Sequence, residues 1–401
     1  MEKRKILLVT SHFPPYPGGM SRYHYDLCMA LPVASIDILT LPYLGDKEFD
    51  LESELHIIRL RRAAWFQSFR QGAKLISIPF LSYLLAHANE YDFILCGGAS
   101  HQMLIPAYLI WKIFRIPYCT IVHGLDFMHV QKIPFYASIF NYMVQTSTLI
   151  YANSTRTAEE VRSTISKDLH IVTLNPSVDK NRFMNLNHRT IIDLQEKYRL
   201  QNKKVILTVG TLVKRKGHEV IIDALPLIIN EIPDIHYLIV GKGSEEVNLK
   251  MKVSNLGLKD FVTFTDFIPD SELPEYYGVC DVFAMISHDI PEKGDIEGFG
   301  IVYLEAGAAM RPVVAGRSGG VEDAVEDGVS GLLVDPTNVD AVAQALIRVL
   351  KDKKLAQHLG EQGYARVQKH FTREKLAAHF LNAIAEAKLL NGPEIISHDS
   401  S

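Results

Sequence analysis

Cysteine is scarce in this sequence: 401 residues hold four, Cys28, Cys96, Cys119 and Cys280, widely spaced and without a C-x-x-C pair. That spacing excludes a disulfide framework and a zinc-finger type of site, and predicts buried thiols in a reducing compartment. Long apolar runs are also lacking. The charged start, Met1-Glu2-Lys3-Arg4-Lys5, is followed by an apolar run from Ile6 to Val9 that is too short for a signal peptide. Nothing approaches the roughly 18–20 uninterrupted apolar residues of a membrane span. Charge of one sign is missing as well: 42 Lys and Arg face 46 Asp and Glu, a net −4, which gives no general case for nucleic-acid binding. No low-complexity tract or repeat stands out. The expected location is the cytoplasm, the inner face of the membrane included.

Absent motifs narrow the chemistry further. No Asp-x-Asp element of the kind that holds a divalent metal on a nucleotide is found; the nearest is Asp295-Ile296-Glu297. No Ser/His/Asp or Cys/His set has diagnostic local spacing. No glycine turn completes G-x-G-x-x-G after its strand, which speaks against a dinucleotide dehydrogenase.

What is present is α/β patterning. Short apolar runs alternate with helical stretches, as in βαβ units with parallel sheets. Strands are predicted at Lys5–Val9, Ile36–Leu41, His56–Arg59, Phe93–Cys96, Tyr118–Val122, Leu149–Ala152 and His170–Leu174. A second series follows at Val205–Val209, Ile235–Val240, Val262–Phe264, Asp281–Met285, Val313–Ala315 and Gly331–Val334. An irregular polar segment separates the two series. The chain therefore reads as two doubly wound units, residues 1–185 and 186–370, with a helix at about 371–390 behind them. Ligands of such sheets bind at the carboxyl ends of the strands.

Four glycine turns and a histidine carry the chemistry. Glu297-Gly298-Phe299-Gly300-Ile301 opens an apolar helix, and Glu305 follows eight residues after Glu297. Gly298 and Gly300 admit a ligand close to the backbone, and a helix start near Gly300 offers unpaired N–H groups to a diphosphate. The two carboxylates could accept hydrogen bonds from sugar hydroxyls; a solvated helix with two chance glutamates is the plain alternative. Gly210-Thr211-Leu212-Val213-Lys214-Arg215-Lys216-Gly217 follows a strand and gathers three cations, suited to neutralising a diphosphate or simply a basic surface turn. Gly241-Lys242-Gly243 repeats the strand-to-helix turn. Phe267-Ile268 precedes Ser271-Glu272-Leu273-Pro274, where Ser271 is the expected helix cap. In the first series Pro17-Gly18-Gly19 forms a turn, and His123-Gly124 stands at a strand end.

Together these motifs resemble glycosyltransferase family 4, with the phosphatidylinositol mannosyltransferase branch the nearest in character, and the likeness runs through almost the whole chain. The resemblance implies a GT-B fold, two Rossmann-like domains facing across a cleft, the last helix returning to the first domain. It implies a retaining, metal-independent transfer of a hexose from a nucleoside-diphosphate sugar, GDP-mannose first among donors, to a glycolipid or cell-surface glycan, with no cofactor. By the same resemblance Glu297 and His123 position the donor sugar, Lys216 neutralises the leaving diphosphate, and Glu305 holds the ribose. Phe299, Gly300 and Ile301 supply backbone contacts, and Gly18, Gly19, Gly210, Gly241 and Gly243 line the donor. Phe267 and Ile268 meet the nucleobase, or else pack in the core. The family has arginine where Thr211 stands, so Lys214 or Arg215 would have to compensate. A UDP-glucose-type donor, a nucleotide-sugar epimerase and a non-catalytic sugar-nucleotide binder are the alternatives. On the acceptor side, Arg59, Arg61, Arg62, Trp65, Phe66, Phe69, Arg70 and Lys74, and the aromatic stretch from His129 to Met143, suit either a membrane interface or ordinary packing.

Overall fold

A computed structural model describes residues 5–61 and 77–387. Most of the first basic and aromatic stretch, from Arg62 to Lys74, lies outside the described residues, as does the start predicted at Ala73 for the following helix. The chain divides into two compact units: residues 1–177 together with 373–401, and residues 178–372.

The first unit is a parallel sheet of seven strands: β1 (Ile6–Val9), β2 (Ile36–Thr40), β3 (His56–Arg59), β4 (Phe93–Cys96), β5 (Tyr118–Val122), β6 (Leu149–Ala152) and β7 (Ile171–Thr173). Their order is β3-β2-β1-β4-β5-β6-β7. β1, β2, β4, β5 and β6 are buried along their whole length, which is why they read as continuous Val/Ile/Leu runs rather than alternating ones. The helix Arg373–Glu386 belongs to this unit. Arg373 reaches the fully buried Asp26 at 2.7 Å, and the Tyr151 hydroxyl donates to the Phe380 carbonyl at 3.2 Å.

The second unit has six parallel strands: β8 (Lys204–Val209), β9 (Ile235–Val240), β10 (Val262–Thr265), β11 (Val282–Met285), β12 (Val313–Gly316) and β13 (Leu332–Val334). The order is β10-β9-β8-β11-β12-β13, so the winding reverses between β8 and β11. Apolar clusters cover both faces of this sheet. All four cysteines are buried and unpaired. Among the described residues no helix is long and apolar enough to cross a membrane.

Candidate active site

In a doubly wound sheet the crevice opens where the winding reverses, outside the carboxyl ends of the strands. In the second unit that point lies between the loop after β8 and the loop after β11. The first loop runs from Gly210 to Gly217 and ends in a short 3-10 turn, Lys214–Lys216. Gly217 has φ +69° and sits against the other loop so closely that a Cβ would lie 1.8 Å from the Ile286 carbonyl oxygen. Only glycine permits that approach, and it aims Arg215 and Lys216 at the β11 loop. A second pinch holds the carboxylate: Gly320 N–H donates to the Glu297 carbonyl at 2.8 Å, and a Cβ on Gly319 (φ +52°) would lie 2.1 Å from that oxygen.

The two loops meet in a charge clamp. Glu297 Oε2 lies 2.7 Å from Arg215 Nη1 and 2.6 Å from Lys216 Nζ. The Ser287 hydroxyl donates to the same oxygen at 3.2 Å. Burial pushes the Glu297 carboxyl up, but Lys216 and Arg215 outweigh it and hold the group below the usual glutamate range. Burial lowers the Lys216 ammonium, against the pull of Glu297. Two cations answering one carboxylate leave a surplus of positive charge, which suits an anionic ligand. Lys214 is exposed, and so is Thr211. Of the two cations that could stand in for the arginine expected at Thr211, Arg215 is therefore the one on the clamp.

Gly300 (φ +89°) caps the helix Ile301–Ala308, so the helix begins where the sequence predicts. Glu305, in its second turn, is buried and accepts a 2.6 Å hydrogen bond from the Tyr277 hydroxyl. Burial and the adjacent Glu305 charge raise the Tyr277 phenol well above its ordinary value, so it stays a donor. Phe299 is buried against Phe371 and leaves only its backbone to a ligand. The β8 and β9 loops are laced together: Gly210 N–H donates to Val240 O, Leu212 N–H to Lys242 O and Glu245 N–H to Leu212 O. Gly241 and Gly243 therefore lie beside the loop that carries the cations. Phe267 is exposed at 56%, so it is no core residue, whereas Ile268 packs partly against the core. Ser271 is not a cap: the helix Leu273–Val279 follows Glu272, with no side-chain hydrogen bond at its start.

The first unit has its own switch point, between β1 and β4. Gly18 (φ +118°) precedes the helix Gly19–Ala30 in the loop after β1. His123 stands at the end of β5, where its backbone N–H and those of Ala99 and Phe127 all donate to Asp126, at 3.0, 2.7 and 2.9 Å. His123 Nε2 lies 3.2 Å from the Gly97 carbonyl oxygen and 3.3 Å from His24 Nε2. Burial lowers both imidazoles, His123 to about 4 and His24 to about 3, with the His12 ring discouraging charge on both and His123 discouraging it on His24. Sequence reasoning missed His24, Asp126, Ser287 and Tyr277. The H-G-L-D spacing, a carboxylate three residues beyond a strand-end histidine, was the available signal for Asp126. Among the described residues no three His, Cys, Asp or Glu side chains gather as a metal site.

Two family models divide the chain between them: "Glycosyltransferase Family 4" matches residues 17–182 and "Glycosyl transferases group 1" matches residues 191–366. A Mycolicibacterium smegmatis enzyme, a GDP-mannose-dependent alpha-(1-6)-phosphatidylinositol monomannoside mannosyltransferase, is 39% identical over 371 residues, 89% of this chain and 92% of that one. The chain belongs to glycosyltransferase family 4. The Mycobacterium tuberculosis enzyme of the same name is 28% identical to this glycosyltransferase over 93% of its length and 96% of the relative's. The fold is GT-B. Anabaena HepE, solved with UDP and glucose, superposes with a TM-score of 0.80 at 20% identity, covering 95% of this chain and 99% of that one. Sucrose-phosphate synthase from Thermosynechococcus elongatus gives 0.78 at 22% identity, over 96% and 98%.

Proposed function

We propose that this glycosyltransferase moves mannose from GDP-mannose to a hydroxyl of a mannosylated phosphatidylinositol, with retention of anomeric configuration and without a metal ion. The observation that carries the proposal is the 39% identity to the Mycolicibacterium enzyme over almost the full length of both chains. The charge clamp supports it, because Arg215 and Lys216 meet at one point with one positive charge beyond what Glu297 balances, as a departing diphosphate needs. In this reading Glu297 accepts hydrogen bonds from the sugar, Glu305 from the ribose, and residues 298–301 bind through their backbone. Gly210, Thr211, Gly241 and Gly243 border the diphosphate, and Phe267 and Ile268 the base. His123 is the first unit's candidate for contact with the sugar, and Gly18 and Gly19 are its candidates for contact with the donor.

The bond from the anomeric carbon to the phosphate oxygen breaks while the acceptor oxygen bonds to the same face. The acceptor proton passes to the departing phosphate oxygen, so no protein base is consumed. Lys216 and Arg215 stabilise the charge that develops on that oxygen. Initial rates with GDP-mannose, GDP-glucose, UDP-glucose and UDP-N-acetylglucosamine on vesicles of phosphatidylinositol monomannoside test the proposal. GDP-mannose should be used at least about tenfold better than the others. A preference for a UDP-sugar, a nucleotide-sugar altered without acceptor, or binding with no turnover would each overturn it in favour of one of the other readings. Thr211 is the residue that speaks for a non-catalytic binder, and the place of Arg215 on the clamp supports turnover instead.

The acceptor is lipid-borne in this proposal, and one face of the first unit suits an anionic bilayer. The helices Ser77–His87, His101–Phe114 and Pro134–Gln145 contain not one Asp or Glu. Phe135, Ile139 and Tyr142 are exposed on the last of them, Tyr142 meets Tyr108, and Lys112 and Arg115 lie over Trp111. Apolar side chains rimmed by cations, on helices that carry no carboxylate of their own, favour an acidic lipid surface, with Glu90 beside His87 the nearby exception. Phe135→Glu with Ile139→Glu should abolish co-sedimentation with phosphatidylinositol vesicles at low salt; unchanged binding would remove this face from the account.

A further inference from the structure

The buried contacts of His123 define the protonation of its ring. His24 Nδ1 lies 2.9 Å from the carbonyl oxygen of His12. A carbonyl only accepts, so this nitrogen carries the proton. Thr10, whose hydroxyl is 3.1 Å from the same nitrogen, can send its own hydrogen to the His12 carbonyl at 3.2 Å. With Nδ1 protonated and the ring buried and neutral, His24 Nε2 holds a lone pair. His123 Nε2 then faces two acceptors, that lone pair at 3.3 Å and the Gly97 carbonyl at 3.2 Å. It must be the protonated nitrogen of its ring.

The Gly97 carbonyl is also within reach of the His24 ring, and the His12 imidazole discourages charge on both rings, but the His12 carbonyl 2.9 Å from His24 Nδ1 still requires the proton there. The Tyr23 ring meets His123 edge to face with centroids 5.2 Å apart, and its hydroxyl is spent on the Leu174 carbonyl at 2.9 Å. Asp126 grips the backbone N–H of His123. A second proton on His24 would set N–H against N–H across the 3.3 Å gap, which burial away from water penalises further. The relay therefore has one direction: Nδ1–H of His24 to the His12 carbonyl, and Nε2–H of His123 to His24 and Gly97.

We infer that His24 is a positioning residue: it fixes the tautomer of His123, so that His123 offers a lone pair at Nδ1 to a hydroxyl of the bound sugar. The inference rests on the proposed contact between His123 and the donor sugar. It adds a specificity rule, since the sugar group at His123 must donate a hydrogen bond and cannot merely accept one. A donor lacking that hydroxyl, or carrying fluorine in its place, loses the contact.

The direct test is long-range proton–nitrogen correlation NMR on the full chain labelled with ¹⁵N-histidine, the signals assigned with His24→Gln and His123→Gln. At neutral pH the spectrum should show Nδ1–H for His24 and Nε2–H for His123. His24→Leu, which keeps bulk but removes the acceptor, should release His123 into a mixture of tautomers and lower kcat with GDP-mannose by about tenfold. His24→Gln, which can still accept at that position, should keep kcat within about threefold of the parent, and His24→Leu should add nothing to His123→Ala. Should His24→Leu fail to fold, the wild-type spectrum and the glutamine variant still decide. Nδ1–H on His123 in the wild type, or an unchanged kcat in a folded His24→Leu protein, would overturn the inference. Normal turnover by His123→Ala would instead remove the sugar contact itself and leave the tautomer relay standing.

Discussion

A buried carboxylate costs several kcal/mol unless cations answer it, and Glu297 is answered twice, through one oxygen. Replacing it with glutamine leaves Arg215 and Lys216 repelling each other in a site that excludes most water. Glu297→Gln should destabilise the protein by about 3–5 kcal/mol in denaturant unfolding. It should also slow sugar transfer by at least about 100-fold. The contrast between neighbouring cations is sharper still. Arg215→Ala should cut turnover severely, whereas Lys214→Ala, on an exposed side chain, should leave it near normal; equal effects in initial-rate assays would mean that the clamp is misassigned. Acid should expose the buried histidines. His24 and His123 titrate at about 3 and about 4 in the folded state against 6.5 in the unfolded chain. The unfolded chain therefore binds protons first as pH falls. Stability from these groups is complete above about 6.5 and is lost toward pH 4, each costing up to about 1.4 kcal/mol per pH unit. Denaturation midpoints should fall between pH 7 and pH 5, and His24→Gln should flatten that slope. At this scale the sequence was legible only where a motif was local. Glu297, Lys216 and His123 sit in turns with recognisable spacing. His24, Ser287 and Tyr277 act across 99, 10 and 28 positions, and no periodicity reports such pairs.

Two glycines of nearly equal conformation separate what a backbone angle costs from what a close approach costs. Gly257, with φ +68°, follows the helix Glu246–Asn255 and has open space where a Cβ would go. Gly217, with φ +69°, would drive its Cβ to 1.8 Å from the Ile286 carbonyl oxygen. Gly257→Ala should cost only the left-handed penalty, about 1–2 kcal/mol. Gly217→Ala should cost several times more in thermal unfolding and should also abolish nucleotide binding, because the displaced loop carries Arg215 and Lys216. Similar losses for both would refute the packing argument. Elements were the most legible scale. Every strand among the described residues was visible as a short apolar run between turn residues, because sheets covered on both faces need continuous hydrophobic sequence. Ends were less so. Ser271 suggested a cap, yet the helix begins two residues later without one, since a cap depends on a hydrogen bond rather than on residue type.

The first unit is completed from the far end of the chain. Arg373 and Arg22 both pair with Asp26, whose side chain has no exposed surface, and the helix Arg373–Glu386 packs on the helix Gly19–Ala30. Composition cannot announce such a return, and only the family resemblance led to it. Arg373→Ala should lower the stability of the first unit by about 1–3 kcal/mol, with Arg22 retaining part of the pairing. Hydrogen exchange should show the loss in β1 and in the helix Gly19–Ala30; protection unchanged there would mean that the helix is only a passenger. The same molecule should carry out the proposed transfer as one coupled reaction. The most direct measurement is the release of GDP from GDP-mannose followed together with the mannose gained by phosphatidylinositol monomannoside vesicles, and the anomeric configuration of the new linkage. GDP release should equal lipid mannosylation, should cease without acceptor, and should give an α linkage, the configuration of the donor. GDP released equally with and without lipid, or a β-linked product, would contradict the account.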